Sequence, residues 1–430
     1  GFDTAVISGV VPFIKPYFNL SDAELGLAVC SVLLGCIAGT QLAGKPGDAL
    51  GRKRTLLITA LLFVISALGS AMAESFAGFI AYRIIGGIAV GAASVLSPVY
   101  IAEIAPPKSR GRLVSINQLT IVIGILLAFF SNYFLVDAGE DNWRWMLGVM
   151  AFPAVIFFML LLLVPESPRW LYMKGKKEQS LKVLKKLLSD DELSAEIIRI
   201  GDSIYPSDHP AGIWDIFFQK KLRWLVALGI ILAMLQQFTG INIIMYYAPL
   251  IFEKSGTGVS SALLQTIAIG VINLVFTILS MSIIDRVGRK PLLTFGQLSM
   301  GAFLLILSIT FFLNKMEGSL AIIVILGFIA AFAISSGPVT WVLISEIYPN
   351  HIRGTAVSVA TFFLWVAAFI VSYSFPVMLQ IWGGGYTFLF YAIINLAGFV
   401  FVKLSISETK GKSLEELGSY AVKSSVDNES

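Results

Sequence analysis

Asp3 and Arg83 are charged side chains set in long apolar stretches. An ion at bilayer depth costs about 3 kcal/mol or more and defaults to a functional role. A buried carboxyl holds its proton and a nearby cation favours its release, so a carboxyl under both pulls changes protonation when its surroundings move. That is the chemistry of proton coupling; a permanent structural ion pair is the alternative for the same two residues. A second group carries no charge. Gln118 lies in the apolar stretch 111–136, and Gln236-Gln237-Phe238-Thr239-Gly240-Ile241-Asn242 sets three amides within two helical turns. Tyr246 and Tyr247 follow one turn later, before Pro249. Amides both donate and accept hydrogen bonds, which suits hydroxyls, and an aromatic face covers the apolar side of a sugar ring. Asn273 and Trp341, the latter in Gly337-Pro338-Val339-Thr340-Trp341, extend the set. Together these residue types point to recognition of a neutral polyol.

Other chemistries lack their residues. The sequence carries no metal-ligating cluster, no phosphate-binding loop and no nucleophile–base arrangement, so an enzyme, a cofactor and a metal are not expected. Cys30 and Cys36 stand six residues apart on different faces of one apolar helix and read as packing residues. His209 and His351 fall in loops.

The elements that must position these groups follow from composition. The chain is 57% hydrophobic and 13% charged, with mean hydropathy +0.82, against roughly 25% charged in soluble domains. This predicts an all-α polytopic membrane protein. Twelve apolar stretches are long enough to span: 1–18, 24–45, 55–73, 76–102, 111–136, 143–164, 223–252, 261–284, 291–313, 319–345, 354–379 and 386–406. Gly240 is expected to loosen its helix, and Gly337-Pro338 to kink or break another. Ten Lys or Arg lie between Lys174 and Arg223, and none in Asp137–Asp141. That contrast puts the basic loops in the cytoplasm, and an even number of spans puts both termini there. The net charge of +4 sits in loops and does not suggest nucleic acid. The domain expectation is a six-helix half over 1–166, a cytoplasmic helical linker over 167–222 with helical spacing in Lys177–Leu188, a second six-helix half over 223–406 and a cytoplasmic tail over 407–430. The chain opens at Gly1 without Met, so its natural N-terminus is expected upstream.

Duplication is visible in the loops. Asp48-Ala49-Leu50-Gly51-Arg52-Lys53 returns 237 residues later as Asp285-Arg286-Val287-Gly288-Arg289-Lys290. Glu103 and Arg110 return 243 residues later as Glu346 and Arg353. Two motif pairs at nearly one offset predict two related halves with a working site between them.

These blocks, with Gly1–Gly9, Arg83–Gly91, Pro165–Trp170 and Ser407–Gly411, give the chain a resemblance to the sugar porter branch of the major facilitator superfamily over essentially its whole length. It resembles the bacterial sugar–proton symporters of xylose type, and more distantly the facilitative glucose transporters. The resemblance implies two pseudo-symmetric six-helix halves rocking around a midplane sugar site. It implies sugar contacts from Gln118, Gln236, Gln237, Asn242, Asn273 and Trp341, with Trp365 nearby. Tyr246 and Tyr247 would help close an outer gate, and Asp3 with Arg83 would be the proton couple. Asp48, Arg52, Glu103, Arg110, Asp285, Arg289, Glu346 and Arg353 would form charge contacts closing the cytoplasmic face. Two positions depart from the xylose type: Ile125 and Leu364 stand where that pattern has Gln. Both losses make the pocket more apolar and favour a hexose such as glucose. The expectation is a proton-coupled monosaccharide symporter, a monomer in the bilayer of a bacterial inner membrane. A uniporter with a structural Asp3–Arg83 pair and a non-transporting sugar sensor are the alternatives.

Overall fold

The computed structural model describes residues 1–106, 110–188, 193, 197, 220–253, 258–313, 318–348 and 352–410. Every regular element among them is a helix. In chain order these are α1 (Phe2–Ala5), α2 (Ile7–Tyr17), α3 (Asp22–Leu42), α4 (Gly44–Leu50), α5 (Arg52–Ala71), α6 (Phe76–Ile104) and α7 (Arg110–Leu135). Then come α8 (Asn142–Gly148), α9 (Ala151–Leu163), α10 (Pro168–Met173) and α11 (Lys177–Leu187). The remainder are α12 (Lys220–Phe238), α13 (Ile241–Glu253), α14 (Val259–Val287), α15 (Arg289–Phe312), α16 (Gly318–Ile334), α17 (Ser336–Glu346), α18 (Arg353–Ile381) and α19 (Gly383–Ser405).

Eleven helical stretches among the described residues are long and apolar enough to cross a bilayer. The twelfth expected span, 1–18, is the shorter pair α1 and α2. Three further spans are broken. The stretch 223–252 divides at Thr239–Gly240, where Gly240 takes φ +91°, a left-handed conformation that only glycine adopts without strain. The stretch 319–345 divides at Ser335, upstream of the Gly337-Pro338 pair that the sequence pointed to. Pro338 sits in the first turn of α17, where a missing N–H leaves no bond unmade, so the break falls before it. The stretch 143–164 divides into α8 and α9 just ahead of Pro153, which the sequence reading passed over.

The described residues form two compact units. One holds Leu34–Thr120 and the described part of Gly148–Pro210. Within it α5 packs along α6 and against α9. Helices α3 and α6 meet backbone to backbone: a Cβ on Gly35 would lie 2.1 Å from the Ile84 carbonyl oxygen. Small residues allow such approach where lipid gives no hydrophobic drive.

The other unit holds Gly1–Leu33, Ile121–Leu147 and the described part of Ala211–Ser430. Here α15 packs along α19 and α12 along α18. Segments from early in the chain join them. Helix α2 packs on α13, Asn132 donates to the Val6 carbonyl at 3.0 Å, and a Cβ on Gly26 would lie 2.6 Å from the Tyr373 carbonyl oxygen. A Cβ on Gly270 would meet Leu126 at 2.8 Å. The ends of α2, α3 and α7 nearest the 18–21 and 136–141 loops are thus closely packed against α13, α14 and α18.

Candidate functional site

The amides of the broken span are joined in a chain. Asn242 donates to Gln237 Oε1 at 2.8 Å, and Gln237 donates to Gln236 Oε1 at 3.2 Å. Gln236 donates to the carbonyls of Ser336 and Gly337 at 2.7 and 3.1 Å. In a straight helix residues 237 and 242 share a face only loosely; the turn at Gly240 brings them together. The chain therefore ties the break between α12 and α13 to the break between α16 and α17. Both N–H groups of Gln236 are committed to backbone. Gln237 and the half-buried Asn242 keep donors and acceptors for another partner.

Each break frees backbone carbonyls that water does not reach, and buried side chains answer them. Asn395, fully buried on α19, donates to the carbonyls of Thr239 at 3.1 Å and Tyr391 at 2.8 Å. Ser280 donates to Ile334 O at 2.8 Å, and Ser335 to Ala331 O at 2.5 Å. A Cβ on Gly296 would fall 1.8 Å from Ser335 Oγ, so α15 presses against the second break and only glycine fits. The sequence reading missed Asn395, Ser280 and Gly296. Asn395 carried a signal, a lone amide in an apolar stretch, of the kind that singled out Gln118.

The other expected site residues are placed as follows. Asn273 is buried on α14, while Trp341 on α17 is 36% exposed. Trp365 is half-buried on α18, and its Nε1–H is shielded from solvent without a hydrogen-bond acceptor among the described residues. Its neighbour Leu364 packs into a core cluster with Ala233, Ile344 and Ala360. Gln118 and Ile125 are half-buried on α7. Tyr246 and Tyr247 are buried on α13; Tyr247 donates to Ser372 O at 2.9 Å, and its ring centroid lies 5.1 Å from that of Phe375. Asp3 is 8% exposed on α1, and Arg83 is fully buried on α6.

The repeated loop motif forms the same junction twice. Arg52 donates to Asp48 at 2.9 Å, to Glu103 at 3.0 Å and to Gly47 O at 2.9 Å. Arg289 reaches Asp285 at 3.0 Å and Glu346 at 2.9 Å. The Arg52–Glu103 side chains are 10% and 8% exposed whereas Asp48 and Asp285 are 67% and 79% exposed, so the glutamate pairs carry more of the energy. The side chains of Arg110 and Arg353 lie outside the described residues, as do His209 and His351.

A second carboxylate completes each junction. Glu166 accepts from the backbone N–H of Lys53 at 3.0 Å and of Ser167 at 2.9 Å. Glu408 accepts from the N–H groups of Arg289, Lys290 and Thr409, each at 3.0 Å, and of Lys410 at 2.9 Å. Each therefore caps the N-terminus of a long helix, α5 or α15, where anions are favoured. Gly51 and Gly288 precede these helices at φ +101° and +104°. A Cβ on Gly51 would lie 2.3 Å from Glu166 Oε2, and one on Gly288 2.7 Å from Glu408 Oε2. The sequence held the signal: Glu166 and Glu408 stand 242 residues apart, beside the 243 of the Glu103 and Glu346 pair.

Burial pushes the Glu408 carboxyl up, and the N–H groups of Lys410, Arg289, Lys290 and Thr409 outweigh it, holding the carboxyl below its usual range. A depressed folded value contributes stability above the ordinary carboxyl range near pH 4.3, lost as pH falls through the folded value. The melting temperature in detergent should therefore drop by about 2–4 °C per kcal/mol lost as pH falls below about 4. Glu408→Gln should melt lower at pH 7 and lose part of that acid dependence. An unchanged acid profile in the variant would remove Glu408 as the cause.

Comparison with known proteins decides the family. The model of the family described as sugar (and other) transporter matches residues 1–420. The chain belongs to the sugar (and other) transporter family. The transporter is 40% identical over 423 residues to the arabinose-proton symporter of Bacillus subtilis, covering 97% of this chain and 91% of that protein. It is 41% identical over 455 residues to the D-xylose-proton symporter of Escherichia coli, covering 97% and 92%. It is 37% identical over 419 residues to the glucose transporter GlcP of Staphylococcus epidermidis, covering 97% and 93%. Among solved structures, the partially occluded inward-open xylose transporter XylE of E. coli matches with TM-score 0.85 at 39% identity, over 96% of this chain and 95% of that one. The fold is thus the major facilitator fold, and the transporter is a multi-pass membrane protein.

Proposed function

We propose that this chain is a proton–monosaccharide symporter that works by alternating access, with a hexose such as glucose as substrate. The observation that carries the reading is the amide chain from Asn242 through Gln237 to Gln236, anchored across two helix breaks. Hydroxyl-binding groups sit there on backbone that can bend, as a carrier site requires. Gln118, Asn273, Trp341 and Trp365 complete the sugar contacts in this reading, and Asp3 carries the proton with Arg83 as its counter-charge. The two halves are 1–166 and 223–406, joined by a cytoplasmic linker and followed by a cytoplasmic tail. Both termini are cytoplasmic and the membrane is a bacterial inner membrane, in which the transporter works as a monomer. In that orientation the ends of α2, α3 and α7 that pack on α13, α14 and α18 face outward. Tyr246 and Tyr247, buried on α13, then belong to a closed outer gate. The junctions of Asp48, Arg52 and Glu103, and of Asp285, Arg289 and Glu346, lie on the cytoplasmic rim in this reading, with Arg110 and Arg353 as further charge contacts there.

Ile125 and Leu364 support a hexose, because each replaces a hydroxyl-binding amide of the xylose type with an apolar side chain. The relatives include a glucose transporter as well as arabinose and xylose symporters, so the hexose reading rests on Ile125 and Leu364. A binding panel of glucose, galactose, fructose, xylose and arabinose tests it. Glucose should bind at least about tenfold tighter than either pentose, the discrimination one carbon group provides. Tighter binding of xylose or arabinose would overturn the hexose reading while leaving transport intact.

A further inference from the structure

A groove of about 530 Å³ runs between α15 and α19, lined by Lys290, Thr294, Phe295, Leu298, Phe399 and Lys403. Its floor is apolar and faces outward: Phe295 is 57% exposed and Leu298 46%. In a multi-pass membrane protein such a surface faces acyl chains rather than water. Lys290 lies in the first turn of α15 and Lys403 in the last turn of α19, so both ammonium groups stand at one end of the groove, the end that carries the Asp285–Lys290 junction. Lys403 Nζ lies 5.8 Å above the Phe399 ring.

The acids of that junction are engaged elsewhere. Asp285 and Glu346 hold Arg289, Thr409 donates to Glu346 at 2.6 Å, and Glu408 is filled by backbone N–H groups. No hydrogen bond or ion pair holds either lysine ammonium among the described residues. The duplicated junction shows the contrast. There Lys53, the counterpart of Lys290, donates to the Leu162 carbonyl at 3.0 Å near the end of α9. The last turn of α9 is a run of leucines, Leu160–Leu163, without a second cation. One copy of the motif spends its lysine on a helix end; the other leaves its lysine over an apolar groove and faces it with another lysine.

We propose that this groove binds an anionic phospholipid, its headgroup phosphate between Lys290 and Lys403 and an acyl chain along Phe295, Leu298 and Phe399. Two ammonium groups that hold no carboxylate among the described residues, at the mouth of an apolar, lipid-facing groove, complement a group that is anionic at one end and hydrocarbon beyond it. A free phosphate would use only the mouth. On the orientation proposed above the lipid belongs to the cytoplasmic leaflet, but its binding does not depend on that orientation.

Native mass spectrometry of the full chain in detergent tests this, titrating dioleoylphosphatidylglycerol against dioleoylphosphatidylcholine. One phosphatidylglycerol should be retained, at roughly 30-fold lower concentration than phosphatidylcholine, about fivefold for each lysine. Lys290→Gln with Lys403→Gln should bring phosphatidylglycerol to the phosphatidylcholine level. Lys403→Gln alone, at an exposed position, should give about fivefold. Lys177→Gln with Lys185→Gln, on the solvated α11, should change nothing. Equal retention of the two lipids, undiminished retention by the lysine variants, or displacement by millimolar inorganic phosphate alone would overturn the proposal.

Discussion

In proteoliposomes with an imposed proton gradient, the Asp3→Asn variant should equilibrate sugar across the membrane without concentrating it. A potential of 100 mV contributes about 2.3 kcal/mol per proton, and one pH unit about 1.4 kcal/mol. Together they support accumulation on the order of several hundred fold, and the variant should fall to a ratio of about one. Counterflow, which needs only the sugar site and reorientation, should persist. The physical reason is that Asn cannot change charge, so the buried position occupied by Asp3 no longer distinguishes a protonated carrier from an empty one. Accumulation at the wild-type level would show that another group carries the proton. Wild-type uptake that ignores both the gradient and an uncoupler would identify a uniporter.

Gln236→Leu should be the most damaging of the amide substitutions, through the fold rather than through the sugar. It removes two donors from the buried carbonyls of Ser336 and Gly337 and the acceptor of Gln237. Each orphaned buried group costs about 1–3 kcal/mol, so melting in detergent should fall on the order of 10 °C, and transport should be lost with it. Gln237→Ala should melt within a few degrees of wild type and instead raise the KM for sugar about tenfold or more, the loss of one or two hydrogen bonds. If Gln236→Leu keeps its melting temperature and only the KM rises, then Gln236 is a sugar contact and not the brace between the breaks.

Much of this architecture is legible in the sequence. Apolar length gave the spans and the repeat gave the duplication, because both are set by the bilayer and by local sequence. The hydrogen bonds of the amides were not legible. Gln236, Gln237 and Asn242 are near neighbours in sequence, yet what Gln236 binds lies a hundred residues away at Ser336. The second break lies upstream of the Gly337-Pro338 pair for a similar reason. A proline suggests a broken helix, but Pro338 fits the first turn of α17 and the chain gives way at Ser335, where Gly296 of a different helix makes room. Glu166 and Glu408 were readable from the repeat offset, but their backbone partners are set by tertiary contact.

The carboxylate caps also set a timetable. Glu166 reaches back 113 residues to Lys53, and Glu408 reaches back 118 to Lys290. During synthesis, α5 therefore emerges with its first N–H groups unanswered and keeps them so until the sixth span has been made and followed. The first junction can then lock while the other half is still unsynthesised. The second junction must wait for residues beyond the last span. A nascent chain halted before residue 408 would hold one finished junction and one open one. The duplicated junctions, alike in their carboxylate caps, would mature one after the other.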